Sequence, residues 1–467
     1  MVTRTGTRVG IAIALGALLA LGLTACNDPA TSTLARPSDP IVVKGAALAR
    51  LIGSTPGDIV AFRSTASGWQ QVPVQVDERK MVDLGVVYHG AASGVVVEAY
   101  ADTGTYTGAD TDTKLDADDE VALMASDAGG QAPADATDPT GVVAGTGVDL
   151  RVTDPLASGK VGHVYLFRRA VGSGLKPGAN RAYVSYAFSL ASGPYKTTYR
   201  FADGPNPENT TIKTASYQRH FSDRWLGDEL TVLAPGASKV DILERNKFSF
   251  SPGYCGRSED TFDDAEGAFL TNRVGPVRAI RSYIGANSGP NTQRDHIFYA
   301  GREDVITHLR VHAIPGTMDF FDLSAAATGM TYRNNLNTAG VTVDGSPDSP
   351  VAGTLTWESL TGAQGSVVQS HRLTTNLTLT QSSWYEDDLT PPTTQCTGDA
   401  RSIGQHGPRV TAGLACTDPA TSCVGTLVHR RSLVYRGPGV TATAAATIAN
   451  QAATPLTAAG TAWDPLT

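Results

Sequence analysis

Apolar and polar residues alternate with a period of two along most of the chain, the pattern of half-buried β-strands. In Val72-Pro73-Val74-Gln75-Val76-Asp77 the three valines share one face, and Gln75 and Asp77 fall on the other. The same reading predicts strands at 59–63, 69–77, 95–100, 120–125 and 161–168. It predicts more at 183–188, 196–201, 240–243, 277–284, 296–299, 305–312, 353–358 and 365–368. Residues 127–147, rich in Asp, Ala, Gly, Pro and Thr, read as a loop. No amphipathic helix longer than about two turns stands out. The expected fold is all-β: a smaller N-terminal β-sandwich over 41–170, then a large antiparallel β-sandwich over 175–467, resembling a supersandwich.

Composition agrees. The 49 Gly and 26 Pro in 467 residues favour turns over long helices. With 41% hydrophobic and 18% charged residues the chain can bury a core, which excludes wholesale disorder. A formal net charge of −8 and the absence of a basic stripe argue against a nucleic-acid partner.

The first residues carry an address. Arg4 and Arg8 precede a nearly unbroken apolar run from Val9 to Leu23, short for a spanning helix and right for a signal peptide over 1–25. Leu23-Thr24-Ala25-Cys26 follows directly and resembles a bacterial lipobox, which implies cleavage before Cys26 and its lipidation. The implied location is the bacterial cell envelope, tethered to a membrane on the extracytoplasmic side. Residues 26–40, rich in Pro, Ser, Thr and Ala, read as a flexible tether. Cys255, Cys396, Cys416 and Cys423 remain, an even number suited to two disulfides behind an export signal, with the pairing open.

Two segments carry candidate chemistry. The first is the acidic stretch from Gly108 to Glu120, where Asp110, Asp112, Asp116, Asp119 and Glu120 fall at spacings that resemble calcium loops, with Asp102 able to add an oxygen. A solvated acidic turn is the alternative. The second is a hairpin in which His308, Arg310 and His312 alternate onto one face, with Asp295 expected opposite Arg310 and Gln293 opposite His312. Arg can grip a carboxylate and His can move protons near neutral pH, parts that suit an acidic sugar substrate. Tyr299 joins them as a candidate catalytic residue, and a solvated sheet face with His and Arg paired to carboxylates is the alternative. Tyr283, Tyr332, Asn287, Asn334 and Asn335 are further polar groups, and His220 is an outlying candidate. There is no G-x-S-x-G, Walker loop, G-x-G-x-x-G after a strand or H-E-x-x-H.

The runs 72–79, 115–129 and 275–289 resemble uncharacterised secreted bacterial β-proteins, a likeness that transfers no catalytic residue. The second half is loosely similar in architecture to polysaccharide-lyase and mutarotase-like β supersandwiches. Two readings follow. One is a surface-anchored lipoprotein that binds or processes carbohydrate, an acidic polysaccharide in particular, and the other is a non-catalytic envelope binding or assembly protein.

Overall fold

The structure, a computed structural model, describes residues 31–189, 208–222, 226–249, 267–285, 289–311, 316–390, 402–412 and 425–465. All five cysteines, the strand expected at 196–201, His312 and Asn287 lie outside these residues. Among the described residues every strand pairing is antiparallel, and the all-β expectation holds. Among the described residues no helix is long and apolar enough to cross a membrane.

Among the described residues four sheet layers stack, with a two-stranded hairpin of Arg79–Asp83 and Val96–Tyr100 beside them. The outermost has five strands, in the order Thr457–Ala462, Val148–Thr153, Val161–Arg168, Ile59–Thr65 and Gly68–Val72. The strand at Thr457–Ala462 thus returns to complete the sheet built by the start of the chain. Next is a three-stranded sheet of Pro40–Lys44, Glu120–Met124 and Gln75–Asp77. Alternation explains how the two pack: Ile41, Val43, Val121 and Leu123 meet Ile59, Leu150, Val164 and Leu166 in one core. The continuous strand expected at 69–77 breaks at Pro73, which has no N–H to donate to a ladder.

The other face of the short sheet, with Ala122 and Met124, rests on Ile280, Ile297 and Tyr299 of a nine-stranded sheet. That sheet runs Ala268–Val274, Ala279–Ile284, Thr292–Tyr299, Arg302–Val311, Gly425–Arg436, Gly365–Thr375, Trp357–Gly362, Thr331–Asn334 and Val341–Thr342. Its inner face packs on an eight-stranded sheet, and Ala279, Phe298, Val305, Leu433 and Tyr435 meet Ile212, Tyr217, Leu230, Phe321 and Ile403 between them.

Two local expectations are corrected. A three-turn helix, Ala442–Ala453, packs Ala445 and Ala449 against Trp357 and Val368 on the outer face of the nine-stranded sheet. Alanine on both sides gives it little amphipathic contrast, which is why no helical period stands out. The hairpin turn is the two residues Ala300 and Gly301, since Tyr299 faces Arg302, so Asp295 stands opposite Ile306 and Gln293 opposite His308. Arg302, Glu303 and Asp304 look like turn residues by polarity but are strand, because each is paired. Glu303 is met by His296, Tyr435 and Arg219, and Arg302 by Asp304 and Ser432.

Candidate functional site

Alternation on the Arg302–Val311 strand sends Glu303, Val305, Thr307 and Leu309 inward, and Asp304, Ile306, His308 and Arg310 outward. The outward set forms the floor of a cleft of about 510 Å³. One wall comes from the N-terminal layers: Lys44, Arg79, Glu98, Tyr100 and Glu120. Across Asp304, Ile306 and Arg430 the cleft continues into a second hollow of about 450 Å³, lined by Ser370, Arg372, Thr374 and Ser432 and walled by Ala452, Ala453 and Pro455 at the end of the helix. The two make one groove over the outer face of the sheet.

The wall is an ion network in which each charge has an opposite partner, although Arg79 Nε is buried without a hydrogen-bond acceptor. Lys44 reaches Glu98 at 2.9 Å, Arg79 reaches Glu98 at 3.0 Å and Glu120 at 3.2 Å, and Arg278 bridges Glu120 at 2.9 Å and Asp77 at 2.7 Å. Burial opposes ionisation of Glu120, but Arg278 and Arg79 outweigh it and hold its carboxyl at about 2. Tyr299 is tied into the same network: its hydroxyl accepts from Arg278 Nη1 at 3.2 Å. Burial raises its pKa, so it stays protonated beneath the floor.

The floor is different. Asp295 accepts from Ser282 and from Gln293 Nε2 at 3.0 Å, and His308 Nε2 stands 3.6 Å from it. Arg310 Nη2 donates to Gln293 Oε1 at 3.1 Å, while its Nη1 is buried with no hydrogen-bond partner. Burial lowers the Arg310 pKa, partly offset by Asp295. On the neighbouring strands Arg430 stands directly opposite Arg372, both exposed, and among the described residues no carboxylate pairs with either. Like charges set face to face on a ladder repel. A bound polyanion would remove that cost.

Thus His308, Arg310 and Tyr299 do line one cleft, with Tyr299 the least accessible. The others go elsewhere. Tyr283 and Tyr332 point into the sandwich, where Tyr332 donates to Glu358 at 3.1 Å and Asn334 donates to the Tyr332 hydroxyl. Asn335 holds a turn through Thr354 and Thr356. His220 is satisfied on both nitrogens, by Asp228 at 2.6 Å and Asn209 at 2.7 Å.

Sequence reading overlooks a second constellation, inside the sandwich. Glu358 Oε1 lies 2.9 Å from His371 Nε2, His371 Nδ1 lies 3.2 Å from His429 Nε2, and His429 Nδ1 lies 3.7 Å from Asp319. Arg294 and Arg431 each reach Asp319 at 3.2 Å. Burial is the main force lowering His429, to about 4, so its ring is neutral at pH 7. Burial opposes ionisation of Asp319 too, but Arg294 and Arg431 keep it well below the usual carboxylate range. His371, His429 and Asp319 line a cavity of about 40 Å³ together with Thr307, Gln381 and Arg409. A signal was available: His371-Arg372 and His429-Arg430 are two His-Arg dipeptides on strands, and a period of two sends each His inward and each Arg outward.

In the acidic stretch, Asp110 and Asp119 come together, joined by Glu78, with one oxygen from each within 4.8 Å of the others. Asp112 and Asp116 accept from the backbone N–H of Lys114 and Asp118 in local turns, Asp102 accepts from Asn272 and Gly104, and Glu120 faces the groove wall.

No family model and no curated protein matches the sequence. Among solved structures, a heparan sulfate lyase mutant from Pedobacter heparinus is 8% identical with a TM-score of 0.26, covering 58% of this chain and 38% of that one. A protein of glycosyl hydrolase family 38 from Enterococcus faecalis is 11% identical with a TM-score of 0.42, covering 93% and 46%. An Escherichia coli protein assigned as an aldose 1-epimerase is 10% identical with a TM-score of 0.29, covering 54% and 100%. This chain therefore spans under two fifths of the length of that lyase. By their names these neighbours act on carbohydrates, and all three TM-scores lie below 0.5.

Proposed function

We propose that this protein is a lipid-anchored envelope protein that binds an acidic carbohydrate chain in the groove over the outer face of its nine-stranded sheet. One observation carries the reading. Arg310, Arg372 and Arg430 line a continuous groove without a carboxylate partner among the described residues, beside a wall whose charges are all paired. A guanidinium group binds carboxylate or sulfate in bidentate fashion, and three of them along a groove suit a repeating anion better than a small ligand. The anchor is the lipid expected on Cys26.

A second reading places turnover inside the sandwich. Glu358, His371 and His429 form a hydrogen-bonded row of one carboxylate and two imidazoles, with Asp319 3.7 Å beyond, an arrangement able to hold a proton at the cavity wall.

One experiment addresses both. The soluble form from Asn27 onward is titrated with a uronic-acid polymer and with a neutral glucan, and the mixtures are assayed for cleavage. The uronic-acid polymer alone should bind, with affinity falling as salt rises. The double variant Arg372→Ala plus Arg430→Ala should lose at least tenfold in affinity with little change in melting temperature. Equal binding of the neutral polymer, or full binding by the double variant, would sink the groove reading. Cleavage that survives in the double variant but vanishes in His371→Asn would move the chemistry to the interior.

A further inference from the structure

Glu78 stands between the strands Gln75–Asp77 and Arg79–Asp83, at the step from the short sheet to its neighbouring hairpin. The residue keeps some surface, yet both of its carboxylate oxygens are buried and neither has a hydrogen-bond partner. A buried carboxylate with nothing to satisfy it is expensive. It is not merely unpaired: its oxygens face those of Asp110 and Asp119. Asp119 is held in place from behind, its Oδ1 accepting from Arg79 N–H at 2.8 Å and its Oδ2 from Asp116 N–H at 2.9 Å. Each of those oxygens keeps a second lone pair.

Among the described residues no cation forms an ion pair with Glu78: Arg273, which shares its cleft and acts on it at longer range, donates to the Ala101 carbonyl at 3.0 Å, Lys80 donates to the Ala109 carbonyl, and Lys114 donates to Thr55. A cleft of about 370 Å³, lined by Glu78, Asp102, Asp110, Thr113 and Arg273, leads from solvent to the site.

We infer that Glu78, Asp110 and Asp119 hold a divalent cation, with calcium the best match to a set of hard carboxylate oxygens on a flexible loop. The ion joins two strands adjacent in sequence to a loop some thirty to forty residues further on. Asp112 and Glu120, although at attractive spacings in the sequence, stand outside the set. Because Asp119 also fixes the backbone of Arg79, the ion steadies one wall of the groove.

The test uses the soluble chain from Asn27 onward, stripped with chelator and then titrated with calcium or magnesium chloride. Calorimetric titration should give one calcium per chain, and saturation should raise the melting temperature by about 3–5 °C. Glu78→Gln should abolish both signals and raise the melting temperature of the metal-free protein, because it removes a repelling charge. Asp110→Asn, a milder change on the solvent side, should weaken calcium at least tenfold, and Asp112→Asn should leave binding intact. Absence of calcium heat and of any thermal shift in the wild type would overturn the inference, as would full calcium binding by both Glu78→Gln and Asp110→Asn. A response equal for calcium and magnesium would keep the site and overturn the calcium assignment.

Discussion

At the scale of single residues, some positions are fixed by the absence of a side chain rather than by its chemistry. Gly45 opens a short 3-10 turn where the acidic loop crosses the first strand, with its N–H donating to the Asp119 carbonyl at 2.9 Å. A Cβ there would sit 1.8 Å from the carbonyl oxygen of Asp116, so the loop would have to withdraw. Gly45→Ala should therefore cost about 1–3 kcal/mol, the range for forced overpacking. Urea unfolding would measure it, and a change below about 0.5 kcal/mol would mean the loop gives way freely. The buried carboxylates follow a rule the sequence does not write down. Glu78 and Glu120 look alike in sequence, but burial and then the carboxylates of Asp119 and Asp110 raise Glu78 to about 7, whereas Arg278 and Arg79 overcome burial and hold Glu120 at about 2.

Elements were legible where periodicity alone decides them and illegible where the partner decides. Val161–Arg168 matches its expected bounds, because an apolar run between turn residues has little other use in a β-protein. His308 and Arg310 share the outward face as expected, with His312 outside the described residues, although the pairing slides by four residues from that expected. An even slide keeps every side chain on its face and changes only its neighbours, so Asp295 meets His308 in place of Arg310. For the interior chain from Glu358 to Asp319 the two His-Arg dipeptides show which way each His points but not what it meets: the members come from four strands in two sheets, and no local pattern brings them together. The helix Ala442–Ala453 depends on a local device. Thr441 accepts from the Ala444 N–H and caps it, so Thr441→Ala should cost about 1 kcal/mol. Thr441→Ser should cost far less; equal losses for the two in thermal melts would show that the hydroxyl is idle.

For the molecule as a whole, the charged interior of the large sandwich sets its tolerance of acid. His296, beside Glu303 and Tyr283, and His429, beside Asp319, His371 and Arg431, are both lowered to about 4, chiefly by burial. Their ordinary value is near 6.5, so on acidification the unfolded chain takes up protons first. The stability that depends on these neutral rings is complete above about pH 6.5 and is lost as pH falls through 4, up to roughly 3 kcal/mol for each. Denaturant midpoints should fall steadily from pH 7 to pH 4.5, and His429→Asn should flatten the slope. A midpoint constant over that range would show that the rings titrate in the folded state as they do in the unfolded chain.

The pairing of Thr457–Ala462 with Val148–Thr153 has a consequence in time. During synthesis, Val148–Thr153 emerges about 300 residues ahead of the strand that covers it, an interval of roughly 15–60 s at ordinary elongation rates. For that period the five-stranded sheet has an open edge, and Leu150 and Val152 lack Leu456, their neighbour in the finished core. An early-made part of the molecule thus waits for a late one, exposed to any chaperone or stray strand that meets the edge first.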